Sequence, residues 1–398
     1  MTSGETGGRD RACPPAETYA RVSPFLADFG VTRVARHTGL DRIGVPVWCA
    51  YTPNAKSIVV AQGKGLTDDA ARTSAVMEAL ERVVAANPHA DVVHTSANAL
   101  ANAGKRFDTL TCLVASGRSP VQGDERIAWI AGTDLMTGDG IHVPLDAVTL
   151  DRTLIDCRYW QSSDGLASGN TLEEAFFHGL NERIERDAYV LWQVSSARSR
   201  QSSCIDPRSL GHPELSSVVT LTEAAGFVLR VFDMTSDIGM PSFNALIAPA
   251  QILSARKPRF VDVNYGAGAH PSAETAMIRA ITEAVQSRMT FISGSRDDIY
   301  PPVYNRPLPE ETQNLLKAVP VAAPKTYGCR DGRRTACSSV EILDALRRLE
   351  LGPVIAVPLS APAWPFAVAK ILVPQLENPE GGRAQRFGQR ALAKGAFG

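Results

Sequence analysis

Glutamate and arginine residues recur at helical spacing in two widely separated segments of the sequence. The first segment reads EALER and ends at Arg82, and the second reads ERIER and ends at Arg186. Residues three apart lie on one face of a helix, so each segment presents two carboxylates side by side. Carboxylates about 5 Å apart repel each other by roughly 3 kcal/mol at an effective dielectric near 20. Several such glutamates gathered inside a protein take up protons or bind cations.

The polar stripe of the second segment extends towards its N-terminus. Glu174, His178, Glu182 and Glu185 follow one another at helical spacing. Each helix also fits a plainer interpretation, because helix faces rich in Glu and Arg are usually solvated surface. Glu174 fits the third position of a capping box that begins at Thr171, and an isolated histidine is usually structural. Apolar neighbours leave the stripe narrow, however, and we expect a narrow polar stripe on an apolar helix to be partly buried.

The cation that fits these carboxylates is Mg²⁺. The sequence has no His-Glu-x-x-His and no Cys-x-x-Cys motif, and oxygen ligands alone favour Mg²⁺ over zinc. Mg²⁺ in turn shares its ligands with phosphate groups. Arg82, Arg186 and Arg279 can donate bidentate hydrogen bonds to phosphate. We therefore predict an ATP site. This site is not a P-loop, because leucine rather than Ser or Thr follows the GKG sequence that ends at Gly65.

Three long helices are predicted to position these residues. Apolar periodicity predicts helices over residues 68–86, 172–194 and 273–292. The third helix carries Arg279 and Glu283, and the β-type residues 260–264 that precede it predict a strand. Alternating helical and strand-like segments indicate an α/β protein.

The domain organisation follows from the lack of a clean linker. We predict one large domain over residues 23–376. Residues 1–22 are rich in Gly, Thr, Pro and charged residues without periodicity, which predicts a flexible leader. Residues 377–398 form a C-terminal tail that is polar and rich in glycine.

Composition excludes several other classes of protein. The 398 residues are 44% hydrophobic and 21% charged, and the formal net charge is -1. This balance predicts no nucleic-acid partner and no anionic membrane partner. No apolar run approaches the roughly 20 residues of a membrane span, and the first residues lack the apolar core of a secretory signal. Seven scattered cysteines fit reduced thiols, so we predict a cytoplasmic protein.

Four groups of motifs resemble the YcaO family when they are taken together. The motifs are TRV with TGLDRIG up to Gly44, QGKG with SAVMEALER up to Arg82, GLASGNT with the acidic stripe up to Asp187, and GAGAHP with a later GSRDD up to Asp298. Each motif alone is weak. Their order along the chain makes the combination specific. Ala167 departs from the pattern, because some members have a polar residue at this position.

The resemblance implies an α/β YcaO fold in which mixed sheets and long helices surround a non-P-loop ATP site. It implies ATP and Mg²⁺ as cofactors. The residues implied to contact the nucleotide are Lys64, Ser74, Glu78, Glu81, Arg82, Asn170, Glu174, His178, Glu182, Glu185, Arg186, Arg279 and Glu283. The residues implied to bind Mg²⁺ are Glu78, Glu81, Glu174, Glu182, Glu185 and Glu283.

The resemblance also implies a reaction, the ATP-dependent activation of a backbone amide in a peptide or protein. External sulfide would give a thioamide, whereas a Cys, Ser or Thr side chain of the substrate would give an azoline. We favour a thioamide, with a TfuA-like partner and a separate sulfide donor, because the sequence up to Gly398 lacks the Pro-x-Pro-x-Pro tail of azoline-forming members. The alternatives are an azoline-forming cyclodehydratase and a non-catalytic accessory or scaffold protein. The resemblance further implies a homodimer.

Overall fold

The computed structural model of the protein describes residues 11–324, 339–379 and 381–397. The helices in these ranges are α1 (Pro15–Val22), α2 (Asp68–Ala86), α3 (Ala97–Asn102), α4 (Leu145–Val148), α5 (Leu172–Val194), α6 (Ala197–Ser202), α7 (Pro213–Ala224), α8 (Ala273–Ser293), α9 (Glu310–Leu316), α10 (Ser339–Arg348) and α11 (Gln389–Phe397). The strands are β1 (Arg33–Arg36), β2 (Val47–Tyr51), β3 (Val60–Lys64), β4 (Val92–Ser96), β5 (Arg126–Asp134), β6 (Gly140–Pro144), β7 (Leu166–Gly169), β8 (Cys204–Asp206), β9 (Phe227–Asp233), β10 (Ser242–Pro249), β11 (Asn264–Ala269), β12 (Val321–Ala322), β13 (Ile355–Pro358) and β14 (Ala367–Leu372).

The strands of the described residues form three sheets. A small antiparallel sheet has the order β1-β2-β3. A five-stranded sheet has the order β11-β10-β9-β8-β12, in which only the short β8–β12 pair is parallel. A six-stranded antiparallel sheet has the order β4-β5-β13-β14-β7, with β6 also paired to β5. This mixture of sheets and helices is the α/β architecture that the sequence predicted.

The three long helices lie where the sheets approach one another. α2 packs on β2 and β3, and α8 packs on β10 and β11. α5 contacts β7 and β14 of the six-stranded sheet and β11 of the five-stranded sheet. Ile184 of α5 shares a buried cluster with Ile371 of β14, whereas Ala188 shares another with Leu246 of β10. α5 therefore has apolar neighbours from two sheets. Its polar stripe faces α2 and α8.

Glycines in two strands allow helices to pack against the strand backbone. A Cβ atom at Gly266 of β11 would lie 2.2 Å from the carbonyl oxygen of Ala280 and 2.3 Å from the nitrogen of Ala284. A Cβ atom at Gly63 of β3 would lie 2.1 Å from the carbonyl oxygen of Ala71. Favourable contacts of carbon atoms need about 3.5–4.0 Å, so only glycine fits at these positions.

We expect Gly266→Ala to lower the free energy of unfolding by about 1–3 kcal/mol, because α8 must move away from β11 to make room for the methyl group. Urea denaturation measures the change. Gly140→Ala is the control, since a Cβ atom at Gly140 would have no neighbour within 4 Å. Equal stability of the two variants would contradict the packing argument.

The helix predictions are confirmed, and one strand prediction is wrong. Helices occupy residues 68–86 and 172–194 as predicted, and the third ends at Ser293. Residues 260–264 were predicted as a strand, but a 3-10 helix spans Phe260–Asp262 and β11 begins only at Asn264. The carboxylate of Asp262 accepts a hydrogen bond from the backbone N–H of Arg259 at 3.1 Å, and this local bond favours the turn over an extended chain.

The prediction of a flexible leader is wrong for residues 15–22. Helix α1 occupies this segment, and Val22 is fully buried in the cluster that contains Val76 of α2. The hydroxyl of Thr73 also donates a hydrogen bond of 2.7 Å to the carbonyl oxygen of Pro15. Residues 1–10 of the predicted leader lie outside the described residues. Among the described residues, no helix is both long enough and apolar enough to cross a membrane.

Candidate active site

Helix α2 contributes two glutamates and one arginine of the predicted site. Arg82 donates to Glu78, and the shortest distance between their charged groups is 2.9 Å. Glu81 accepts a hydrogen bond of 3.2 Å from the hydroxyl of Ser168, which lies on β7. The end of this strand leads into α5, so the interaction connects the two acidic helices.

Helix α5 contributes Glu182, Glu185 and Arg186. The guanidinium of Arg186 lies 3.1 Å from Glu182 and 3.3 Å from Glu185. It also lies 3.5 Å from Asp164, in the loop before β7. The backbone N–H of Gly165 donates a hydrogen bond of 3.1 Å to Glu182. One partly buried cation therefore balances three carboxylates on one side of the helix.

Helix α8 and strand β3 complete the group. The ammonium of Lys64 lies 2.5 Å from the carboxylate of Glu283. The backbone N–H of Ala267 donates to Glu283 at 3.4 Å, and that of Ala269 donates to Glu185 at 3.1 Å. Strand β11 thus orients one glutamate from each of two helices. We call this group of five glutamates the acidic cluster: Glu78, Glu81, Glu182, Glu185 and Glu283.

Burial and mutual repulsion change the pKa values in the acidic cluster. Burial, followed by the charges of Glu78 and Glu182, raises the pKa of Glu81 well above its ordinary value. Burial also raises the pKa of Glu182, and the charge of Asp164 acts in the same direction, whereas the charge of Arg186 lowers it. For Glu185, burial and the nearby Glu283 raise the pKa to about 7. A cation placed among these carboxylates would relieve the repulsion and favour their ionised forms.

Glu174, Asn170 and His178 form a separate group at the start of α5. Glu174 accepts hydrogen bonds from the side chain of Asn170 at 2.9 Å and from the backbone N–H of Ala12 at 3.1 Å. Against the effect of burial, these bonds and the nearby His178 lower the pKa of Glu174 to about 2. Burial lowers the pKa of His178 to about 4, so this imidazole is neutral at pH 7, and the charge of Arg279 acts in the same direction.

The six predicted Mg²⁺ ligands do not surround a single point. Glu174 and Glu182 are eight residues apart on α5, which corresponds to about 12 Å along the helix axis at 1.5 Å per residue. Among the described residues, no group of three or more His, Cys, Asp or Glu side chains is placed to hold a metal ion by itself. The predicted nucleotide contact Ser74 lies one helical turn before Glu78 on α2. The predicted residues therefore line an elongated surface.

Three residues near the acidic cluster were missing from the predicted site. Asp164 and Ser168 contact Arg186 and Glu81, as described above. Lys370 of β14 is buried, and its ammonium donates a hydrogen bond of 2.6 Å to the carbonyl oxygen of Ser162. Burial lowers the pKa of Lys370 to about 8, despite the nearby negative charges. A lysine inside an otherwise apolar strand was a visible signal in the sequence.

A cavity of about 530 Å³ lies beside the acidic cluster and is lined by Glu283 of that cluster and by Arg186. Its other walls include Arg152, Trp160, Asn244, Tyr265 and Arg296. Burial and the positive charges of Arg82 and Arg296 lower the pKa of Arg152. The cavity therefore combines cationic groups, aromatic rings and the carboxamides of Asn244 and Gln161 beside the glutamates, which suits a polar ligand of moderate size.

A family model described as YcaO cyclodehydratase, ATP- and Mg²⁺-binding, matches residues 62–377. The chain belongs to the YcaO family. The family resemblance identified from the motifs is thereby confirmed, and the description of the family agrees with both predicted cofactors.

A relative supports this membership, and two solved structures share the fold. An uncharacterized protein in the tfuA 3' region of Rhizobium leguminosarum bv. trifolii is 36% identical over 398 residues, which cover 98% of this chain and 94% of that protein. YcaO from Methanopyrus kandleri, bound with AMPPCP and Mg²⁺, shares the fold with a TM-score of 0.69 and 22% identity over 92% of each chain. A heterocyclase in complex with substrate and cofactor has a TM-score of 0.74 and 19% identity over 93% of this chain, which spans 54% of the heterocyclase.

Proposed function

We propose that the chain is an enzyme that binds Mg²⁺ and ATP along the surface formed by α2, α5 and α8. The acidic cluster, extended by Glu174, would hold Mg²⁺ together with phosphate oxygens. The single observation that carries this proposal is the convergence of carboxylates, arginines and Lys64 from separate segments beside one cavity. Mg²⁺ needs only one or two carboxylates when phosphates supply its other ligands, which agrees with an elongated arrangement.

Two buried guanidinium atoms also fit a phosphate ligand. Nη1 of Arg82 is buried and donates no hydrogen bond to any described residue. Nε of Arg186 is also buried, and its 3.5 Å contact with the carboxylate of Asp164 is too long for a good hydrogen bond. A buried donor without an acceptor costs about 1–3 kcal/mol, so a ligand that accepts these bonds is favoured. Phosphate oxygens are strong acceptors for guanidinium groups. Arg82 and Arg186 would therefore help to bind ATP as well as balance the glutamates.

The proposed reaction is the activation of a backbone amide in a peptide or protein. A nucleophile adds to the amide carbon, the amide oxygen takes the γ-phosphoryl group of ATP, and phosphate then leaves with that oxygen. The residues of this chain would position the amide and the triphosphate and balance the charge that develops between them. Positioning and charge stabilisation are the main contributions of proteins to phosphoryl transfer.

External sulfide is the nucleophile that we favour, which would give a thioamide. The support for this choice is the 36% identical relative from a tfuA 3' region, which suggests a TfuA-like partner for this chain as well. The second candidate is an azoline-forming cyclodehydratase, favoured by the description of the family model. Mass spectrometry of the modified peptide separates the two, because a thioamide exchanges oxygen for sulfur and an azoline loses one water.

We expect Glu182→Gln to weaken the binding of Mg-ATP at least about tenfold, equal to about 1.4 kcal/mol, because the amide removes a negative charge from the proposed metal site. Isothermal titration calorimetry measures the affinity. The matched control is Glu173→Gln, which changes an exposed glutamate of the same helix. If the wild type does not bind Mg-ATP, or if both variants bind it as tightly as the wild type, the accessory or scaffold hypothesis is favoured instead.

A further inference from the structure

Asn244 is a buried carboxamide on a largely apolar face of strand β10. Only 2% of its surface is exposed. Leu246 and Ala248 follow on the same face of the strand, because side chains alternate in direction, and both belong to a buried apolar cluster with Phe232. An asparagine is therefore not needed to complete the packing of this face, and an aliphatic residue of similar size would suit the cluster better.

The carboxamide of Asn244 lines the cavity beside the acidic cluster. No residue in the described part of the chain forms a hydrogen bond with it, although Ser242 on the same face has one. Neither the oxygen nor the nitrogen of this carboxamide is fully buried, so solvent reaches the group from the cavity. The unused donor and acceptor of Asn244 thus face the cavity, where a ligand can reach them.

Backbone pairing places Asn244 next to the proposed nucleotide site. Its partner across the sheet is Ala267 of β11. The N–H of Ala267 donates to Glu283 of the acidic cluster. Residues directly opposite in antiparallel strands have Cα atoms about 4.5–5.5 Å apart, so Asn244 is one strand away from the backbone that holds Glu283.

We propose that the carboxamide of Asn244 binds the backbone amide of the peptide substrate in this cavity. The inference rests on the proposed function, because it places the reacting amide beside the phosphates. An asparagine side chain offers one donor and one acceptor direction at once, which matches the C=O and N–H of a peptide. Phosphate accepts hydrogen bonds only, and Arg186 and Lys64 already supply donors for it. A volume of about 530 Å³ suits a short peptide segment.

The test uses the capped tripeptide N-acetyl-triglycine N-methylamide as a probe, titrated into the full chain with and without Mg-AMPPCP. Saturation-transfer NMR measures its affinity. We expect Asn244→Leu to weaken the binding of the tripeptide about 5- to 100-fold, because one bound amide loses its hydrogen-bonding partner. The melting temperature of Asn244→Leu should not fall below that of the wild type, since leucine fills nearly the same space beside the apolar cluster of Leu246 and Ala248.

Asn264→Leu is the matched control. Asn264 is another buried asparagine with an unpaired carboxamide among the described residues, but it lies on β11 and does not line the cavity. Its replacement should leave the affinity for the tripeptide unchanged. The proposal is overturned if the wild type does not bind the tripeptide, if Asn244→Leu binds it equally well, or if Asn244→Leu lowers the melting temperature. Failure of the wild type to bind Mg-AMPPCP counts against the proposed function instead.

Discussion

Replacing Arg186 by methionine is expected to lower the free energy of unfolding by about 3–5 kcal/mol at neutral pH. The guanidinium of Arg186 lies within 3.5 Å of Glu182, Glu185 and Asp164. Methionine would fill much of the space but leave three partly buried carboxylates without their shared cation. Urea denaturation of the metal-free protein measures the loss. The control is Arg198→Met, because Arg198 is exposed on α6 and has no ion pair within the described residues.

The loss caused by Arg186→Met should become smaller as the pH falls. Burial already raises the pKa of Glu182 and Glu185 in the folded protein, and removal of Arg186 raises both further. A folded state with raised carboxyl pKa values binds more protons than the unfolded state, so its stability increases as the pH falls. We therefore expect a smaller difference from the wild type at about pH 6 than at about pH 8. A difference that does not depend on pH would contradict the proposed charge balance.

The long helices and the acidic stripe could be predicted from the sequence because both depend on local spacing. Apolar periodicity and end signals set α2 and α5, and Thr171 caps α5 by accepting a hydrogen bond from the N–H of Glu174. The capping-box interpretation of Glu174 is only half correct. Its carboxylate turns to Asn170 and Ala12 rather than back to Thr171, and the contact with Ala12 depends on how the chain folds around α5.

The long-range contacts of the site could not be predicted from spacing. Lys64 and Glu283 meet although 219 positions separate them, because β3 and α8 are brought together by packing between sheets. Asn244 reaches the site through the register of β10 against β11, and a shift by one residue would turn it to the opposite face. The sequence showed which glutamates share a helix face, whereas the sheet pairings decide which loops and strands complete the site.

Replacing Arg390 by methionine is expected to lower the free energy of unfolding by about 3–5 kcal/mol, because it leaves a buried aspartate without its cation. Arg390 of α11 donates two hydrogen bonds of 3.0 Å to Asp187 of α5, whose side chain is fully buried. Asp237 lies 2.6 Å from the same guanidinium. The segment predicted only as a polar C-terminal tail is therefore fixed to the helix that carries Glu185 and Arg186. Urea denaturation measures the loss, and calorimetry with Mg-ATP measures whether the nucleotide site is affected.

The pH dependence of Arg390→Met identifies Asp187 as the cause of the loss. Burial raises the pKa of Asp187 even with Arg390 present, and loss of the guanidinium raises it further. The folded variant therefore gains a proton before the unfolded chain does, and its stability recovers as the pH falls from neutral. Adding Asp187→Asn to Arg390→Met removes the buried charge and should restore part of the lost stability. The N–H of Glu377 donates to Asp187 at 2.9 Å and can also donate to the carboxamide oxygen of asparagine, so this bond survives the substitution. A double variant less stable than Arg390→Met at neutral pH would show that the unpaired charge of Asp187 is not the cause of the loss.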